Sequence, residues 1–186
     1  MHRIGHKAGL PVMPALRLNM EQPTYKIKGS ILTAIALFVV DSFVMNQGIA
    51  VIALFVILFW LLPKSAILKY KKQSPKTSLI KAGIYGLMAL AIFSTIYANN
   101  KIAKHRANNL INVIEHYHQS TGQYPQTLNE LVPVYLPKVP RAKFTLVFGD
   151  FYYHNYKGDA SLMYIALTPL GRPRYDFSSK AWGNID

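Results

Sequence analysis

Two sets of side chains in this 186-residue sequence carry groups that transfer protons or bind metal ions. The first is Asp41, which lies inside an apolar run, where an acid is a candidate for a proton or ion pathway. The second is His105, Glu115, His116 and His118, because imidazole and carboxylate groups are metal ligands. A transport pathway and a metal site are therefore the first two hypotheses.

The spacing of the second set does not favour a metal site. On a helix, His116 and His118 point about 200° apart, and His105 lies about three turns away from them. Only Glu115 and His118, at positions i and i+3, share a face of the helix. We therefore expect solvated helix residues or a histidine packed at the edge of a sheet, with no metal and no cofactor.

Asp41 lies four residues before the link between two apolar runs. From there its carboxylate can reach the far membrane interface or bond to Asn46 or Gln47. The apolar runs hold no other acid and no basic partner, which a proton relay would normally contain. A structural role is therefore favoured, and a proton or ion pathway is the alternative.

The elements that must position these residues begin with three apolar runs. A membrane-spanning helix needs about 20 mostly apolar residues, so the third run fits and the first two need their flanking residues. We expect a transmembrane hairpin at 29–63 and a third transmembrane helix at 79–98. A re-entrant hairpin, which would return on the same side, is the alternative. The runs are Ile31–Val44, Ile49–Leu62 and Ala82–Ile96.

Basic residues predict the orientation of these helices. Residues 1–28 and residues 64–78 are rich in Lys and Arg, so the positive-inside rule places both segments in the cytoplasm. Residues 99–186 then lie across the membrane, most simply in the periplasm of a bacterial inner-membrane protein. Four lysines of the predicted cytoplasmic loop are expected to attract anionic lipid: Lys64, Lys69, Lys71 and Lys72.

Composition excludes several other classes of protein. Residues 1–98 carry +9 of the formal net charge of +13. Much of the high pI therefore comes from the basic segments that orient the predicted membrane helices, and we expect no nucleic-acid binding. With Cys 0, disulfides and thiolate sites are excluded. Residues 1–28 lack the pattern of a signal peptide, so the first helix should be the insertion signal. Met13 and Met20 are alternative start residues.

The helical pattern continues beyond the third apolar run. An amphipathic stripe recurs at three- and four-residue steps, so one helix from Leu79 to Thr121 should leave the membrane and carry the C-terminal domain. Gly122 is expected to end this helix in a left-handed conformation. The stripe consists of Ala103, Ala107, Leu110, Ile111, Ile114, Tyr117 and His118.

The remaining residues predict a short helix and a small sheet. Thr127–Glu130 matches a capping box at the start of a helix from about Leu128 to Val134, which Pro137 and Pro140 would end. Beyond Lys143, aromatic and branched residues predict four short antiparallel strands packed on the long helix. The fold class is thus membrane α-helical with a small α+β C-terminal domain. The strands are Phe144–Phe148, Phe151–Tyr156, Ser161–Thr168 and Arg174–Phe177.

Aromatic residues are frequent in the predicted sheet, and alternate ones are expected to fill its core. The residues on the other face would form a partner surface, because Tyr, Trp and Arg dominate interface hot spots. The residues assigned to this surface are Tyr153, Arg172, Arg174, Tyr175 and Trp182.

The segment from the third membrane helix to Pro140 resembles type IV pilins and the major pseudopilins of type II secretion. The resemblance covers about residues 80–140 and rests on the continuous helix, Gly122-Gln123-Tyr124-Pro125 and the Leu-x-x-Leu pattern of Leu128–Leu131. It implies a pilin-like fold. The chain departs from the family in lacking a prepilin cleavage site and the glutamate of the mature helix, and two additional membrane helices precede the segment.

The sequence therefore predicts a protein that acts by contact rather than catalysis, since it contains no common hydrolase, P-loop or dinucleotide-binding motif. An accessory subunit of a secretion or pilus assembly, contacting other membrane or periplasmic proteins, is the leading interpretation. A membrane-anchored immunity or inhibitor protein that binds a periplasmic toxin is the first alternative. A metal- or lipid-dependent membrane enzyme is the second.

Overall fold

The computed structural model describes residues 23–46, 48–72, 74–167 and 171–185. Most of the predicted N-terminal segment 1–28, with its alternative start residues Met13 and Met20, lies outside the described residues. Gln47, one predicted partner of Asp41, also lies outside them, as does Thr168 at the end of a predicted strand.

Two helices joined by a short link form the arms of the predicted hairpin. Helix α1 spans Pro23–Val39 and continues as a π-helical turn, Val40–Met45, while helix α2 spans Ile49–Tyr70. Helix α3 follows as Lys76–Thr121. Within the described residues, three helices are long and apolar enough to cross a membrane, judged by length and composition.

Helix α2 is longer than the sequence suggested. It passes through Pro63 and has 22 residues, so Lys64 and Lys69 lie on the helix rather than in a loop. A proline inside a helix removes one backbone donor and crowds the carbonyl four residues earlier, but the residues that follow Pro63 include the good helix formers Ala66 and Leu68. The segment predicted as a loop, 64–78, is therefore helical at both ends.

Both arms of the hairpin pack along α3. Their contact is formed by buried apolar residues such as Ala34, Leu54 and Ile92. At the tip of the hairpin, the hydroxyl groups of Ser42 and Thr95 share a hydrogen bond of 3.0 Å. Thr95 lies about 30 Å along α3 from its first residue, a length comparable to the thickness of a bilayer core.

The outer half of α3 carries the core of the C-terminal domain. The predicted stripe is confirmed, since Ala103, Ala107, Leu110 and Ile114 are fully or almost fully buried. The helix ends as predicted at Gly122, which has φ +78° and donates its N–H to the carbonyl of His118 at 2.8 Å. The 46 residues of α3 span about 69 Å.

The short helix is a 3₁₀ turn, Leu128–Leu131, and the predicted capping box is formed. The Glu130 carboxylate accepts the N–H of Thr127 at 3.1 Å. This helix ends earlier than predicted. Val132 is extended (φ −100°, ψ 137°) because it precedes Pro133, and a residue before proline avoids the helical region.

Four antiparallel strands form the sheet, in the order β1-β2-β3-β4. The strands are β1 Tyr152–Tyr156, β2 Asp159–Met163, β3 Arg172–Asp176 and β4 Ala181–Ile185. The prediction differs from these strands in three places, and the first is that β2 ends at Met163 instead of continuing through residues 164–167. Residues 144–148 form bends rather than a strand, and β4 was not predicted because its Gly and Asn have low strand propensity.

Candidate functional site

The five residues predicted to form a partner surface are divided between two faces of the sheet. Tyr153 and Tyr175 pair with opposite sides of Leu162, which is fully buried in the core. Trp182 pairs with Tyr175 and so belongs to the same row. Because side chains in one cross-strand row share a face, these three aromatic residues point towards α3.

Packing contacts agree with this register. The Tyr153 hydroxyl donates to the carbonyl of Pro125 at 2.9 Å, and burial raises the pKa of this phenol. The Tyr175 ring lies edge-on to Phe177 with centroids 5.0 Å apart. The ammonium group of Lys104 sits 3.2 Å above the Trp182 ring. The predicted single surface is therefore not formed, and its three aromatic residues help to build the core.

Arg172 and Arg174 lie on the opposite face, away from α3. Arg174 pairs with Met163, which pairs with Tyr152, so these residues form the next cross-strand row. We call this face the outer sheet face and define it by Tyr152, Tyr156, Met163, Arg172 and Arg174. Tyr152 and Tyr156 are exposed and were missed at the sequence level, because the alternation of β1 alone does not reveal which face packs on the helix.

The two arginines of the outer sheet face can still donate hydrogen bonds to a partner. The Nε atoms of Arg172 and Arg174 are shielded and have no hydrogen-bond partner in the part of the chain that the structure describes. Asp176, 3.9 Å from Arg174, is held mainly by the turn that follows it. Hydrogen bonds from Ser179 lower the pKa of the Asp176 carboxyl group. The face therefore combines exposed tyrosines with two guanidinium groups.

Three members of the histidine and glutamate set contact tyrosines, whereas His105 shares an exposed hydrogen bond of 3.4 Å with Asn109. The His118 ring stacks on Tyr124 with centroids 4.0 Å apart, and the Tyr124 hydroxyl donates to Glu115 at 3.4 Å. His116 packs edge-on against Tyr135. Glu115 and His118 thus hold the same tyrosine, which fastens the end of α3 to the Tyr-Pro turn. Among the described residues, no group of three or more His, Cys, Asp or Glu is placed to hold a metal ion.

Asp41 caps the second helix of the hairpin. Its carboxylate accepts the N–H groups of Gly48 at 3.0 Å and Ala50 at 2.8 Å, and the residue is 1% exposed. These donors lie at the N-terminus of α2, where backbone N–H groups lack helical partners and the helix dipole favours an anion. The predicted partner Asn46 bonds instead through its backbone, donating its N–H to the Asp41 carbonyl.

Lys143 joins the C-terminal domain to the tip of the hairpin. Its ammonium group donates to the carbonyl of Ala166 at 2.8 Å and to the Asn46 side chain at 3.4 Å. The residue is fully buried, and this burial lowers its pKa to about 8. Sequence reasoning missed this contact because Lys143 and Asn46 are 97 positions apart and no local pattern links them.

The four lysines predicted to attract anionic lipid are all exposed. Lys64 and Lys71 border a cleft of about 560 Å³ on α2, together with Trp60 and Pro63. Tyr70 is exposed at the end of α2 opposite the hairpin tip, and Lys69 and Lys71 lie beside it. Trp60 is also exposed but lies near the middle of the helix, about 15 Å along its axis from Tyr70.

Comparison with models of protein families, with curated proteins and with solved structures returned no match. The resemblance to pilins and pseudopilins stays a prediction made from the residues.

Proposed function

We propose that this chain is an integral membrane protein with three spanning helices and an exported C-terminal domain. The observation that carries the proposal is the belt of large apolar side chains on the outside of the three helices. Leu32, Phe59 and Leu87 are 71%, 83% and 71% exposed. Contiguous apolar surface of this extent is unusual on a soluble monomer and marks contact with lipid or another protein.

The proposed orientation places both ends of the hairpin and the exposed lysines of α2 in the cytoplasm, as the positive-inside rule requires. The inner membrane of a bacterium is the proposed location, with the C-terminal domain in the periplasm. A reporter fused after Asp186 tests this orientation. Activity of a periplasmic reporter is expected, and activity of only a cytoplasmic reporter would overturn the topology.

We further propose that the C-terminal domain works by protein contact, as an accessory subunit of a secretion or pilus assembly. A long helix that rises from the membrane and packs on a small antiparallel sheet is the arrangement that the pilin resemblance implies. The outer sheet face, with Tyr152, Arg172 and Arg174, is the proposed contact surface, since Tyr and Arg are enriched in interface hot spots.

Site-specific photocrosslinking tests this role. A photoreactive amino acid at Tyr152 should crosslink a partner in intact cells, and one at Val134, which is also exposed but lies outside the outer sheet face, should not. Arg174→Glu should abolish the crosslink at position 152, because it replaces one of the two guanidinium groups of the surface by a carboxylate. A crosslink that forms equally at both positions, or at neither, would contradict the proposal.

The identity of the crosslinked protein separates two functions of the same surface. A membrane-embedded subunit of a secretion or pilus system supports an accessory role, and neighbouring genes for such a system would agree with it. A soluble exported toxin, encoded next to this chain, would favour the immunity or inhibitor function instead. In either case, Arg172 and Arg174 offer guanidinium donors to a carboxylate of the partner.

A further inference from the structure

A loop of the C-terminal domain, residues 143–149, lies against the end of the first apolar helix. Leu146 donates its backbone N–H to the carbonyl of Phe43 at 3.0 Å, and Val147 donates to that of Val44 at 2.8 Å. Both carbonyls belong to the last turn of a helical segment, where intrahelical partners are missing. The 143–149 loop is therefore fixed at the depth where the hairpin turns.

The 143–149 loop is internally closed, which fixes the direction of its side chains. Lys143 donates its N–H to the Gly149 carbonyl at 3.0 Å, and the Arg141 guanidinium donates to the Thr145 carbonyl at 2.7 Å. Lys143 and Thr145 are fully buried. Phe144 and Leu146, which alternate with these two residues, are 64% and 72% exposed.

These exposed side chains continue the apolar belt of the helices. Phe43, whose carbonyl binds the loop, is itself more than half exposed. Phe144 and Leu146 therefore extend the apolar surface of α1 beyond its last turn, at the level of the membrane interface. An exposed Phe and Leu in this position are stabilised when they leave water for the acyl chains.

Cationic side chains surround the exposed phenylalanine. A cleft of about 540 Å³ is lined by Arg106, Lys138 and Phe144, and the Arg106 guanidinium lies 4.2 Å from the Phe144 ring. Arg141 lines the same cleft but is paired with Asp150 at 2.8 Å. Apolar groups bordered by cations are the arrangement that binds an anionic lipid surface.

We propose that the 143–149 loop inserts into the lipid leaflet on the side of the C-terminal domain. Phe144 and Leu146 lie below the headgroups, and Arg106 and Lys138 face the lipid phosphates. The domain is thereby held at a fixed height and rotation on the bilayer, in addition to its attachment through α3. This inference rests on the membrane placement proposed above.

Because the chain has no cysteine, single-cysteine variants of the full chain can be labelled at chosen positions. The test position is Leu146→Cys. Val134→Cys is the matched control, since Val134 is 82% exposed and its neighbour Tyr135 contacts Tyr117, about 30 Å along α3 beyond the hairpin tip. Leu87→Cys, on the apolar belt of α3, reports membrane placement itself.

Each variant carries a small fluorophore and is reconstituted in vesicles of phosphatidylethanolamine and phosphatidylglycerol. Spin-labelled lipid should quench the fluorophore at positions 146 and 87, and aqueous iodide should quench it at 134. Iodide quenching at 87 would overturn the membrane placement, and with it both proposals. Lipid quenching at 87 without lipid quenching at 146 would overturn only the loop insertion. A fluorophore at 146 that neither quencher reaches would identify a protein, rather than lipid, as the cover of the loop.

The cationic part of the proposal has its own measurement. Spin-labelled phosphatidylglycerol should quench the fluorophore at position 146 more strongly than spin-labelled phosphatidylcholine at the same mole fraction. Lys138→Gln, which changes an exposed side chain, should lower this preference by up to about fivefold at low salt, the effect of one basic residue at an anionic surface. Equal quenching by the two lipids before the substitution would overturn the role of the cations.

Discussion

Asp41 is a buried acid whose two carboxylate oxygens both accept backbone N–H groups of the second hairpin helix. We expect Asp41→Ala to lower the free energy of unfolding by about 1 to 2 kcal/mol, because the N-terminus of α2 loses its cap and its anion. Asp41→Asn keeps one acceptor oxygen and should cost less. Unfolding by sodium dodecyl sulfate in mixed micelles, followed by circular dichroism, measures both variants.

Asp150 offers the matched control for Asp41. Its side chain is 70% exposed and pairs with Arg141 on the surface. Asp150→Ala should therefore change the unfolding free energy by less than about 1 kcal/mol, as is usual for an exposed ion pair. An Asp41→Ala variant as stable as the parent protein would exclude the capping role and favour a proton or ion pathway.

Lys143 makes stability depend on pH through its burial. Its pKa falls from 10.5 to about 8 in the folded protein, so between these values the unfolded chain binds more protons and the free energy of unfolding rises with pH. Below pH 8 both states are protonated and this contribution is constant. We expect Lys143→Met to remove the rise, so the stability of the parent should gain about 3 kcal/mol relative to the variant across this range. Detergent unfolding from pH 7 to 10.5 measures the difference.

Lys138→Met controls for the loss of a positive charge in the same region, because Lys138 is exposed. It should leave the pH profile parallel to that of the parent protein. A profile of Lys143→Met that is also parallel would show that the buried ammonium is not the source of the pH dependence.

At the scale of a single element, Gly122→Ala tests how helix α3 ends. Gly122 ends the helix with φ +78° and has open space where a Cβ would lie, so Gly122→Ala costs only the conformational strain of a left-handed residue. We expect a loss of about 1 to 2 kcal/mol in the free energy of unfolding. Gly83→Ala is the control within the same helix, since its Cβ also meets no atom. It should be neutral or stabilising by about 0.5 to 1 kcal/mol, measured by thermal unfolding of both variants.

The sheet shows where prediction of elements from local patterns fails. Residues 144–148 have strand-like composition, but the backbone N–H groups of Leu146 and Val147 bind carbonyls of the hairpin instead of a strand. Ala181–Ile185 lacks that composition and becomes a strand because β3 offers it a complete register of partners. In both segments the available partner, rather than propensity, decided the structure.

At the scale of the whole molecule, the hairpin is predicted to order part of the C-terminal domain. In a chain that begins at Lys76, the amides of Leu146 and Val147 lose their acceptors and should exchange with solvent much faster than in the full chain. The Phe177 amide, which donates to Ala160 within the domain at 3.1 Å, should keep its protection and so show that the sheet is intact. Hydrogen exchange with mass spectrometry measures these amides.

Unchanged protection of Leu146 and Val147 in the shortened chain would mean that the 143–149 loop is ordered by the C-terminal domain alone. Loss of protection at Phe177 would instead mean that the domain needs the hairpin to fold. The first outcome would remove the physical link between the hairpin and the C-terminal domain on which the docking of the loop depends.

Hydropathy and periodicity are properties of neighbouring residues, and they were sufficient to predict three apolar helices, the buried stripe of α3, its end at Gly122 and the capping box at Thr127. The contact between Lys143 and Asn46 joins residues 97 positions apart, and it exists only once the helices and the domain have packed. Local patterns also could not predict which face of the sheet each aromatic residue occupies. Strand side chains alternate, so the pairing of Tyr153 and Tyr175 with Leu162 decided that they build the core, and a shift of one residue would have placed them outside.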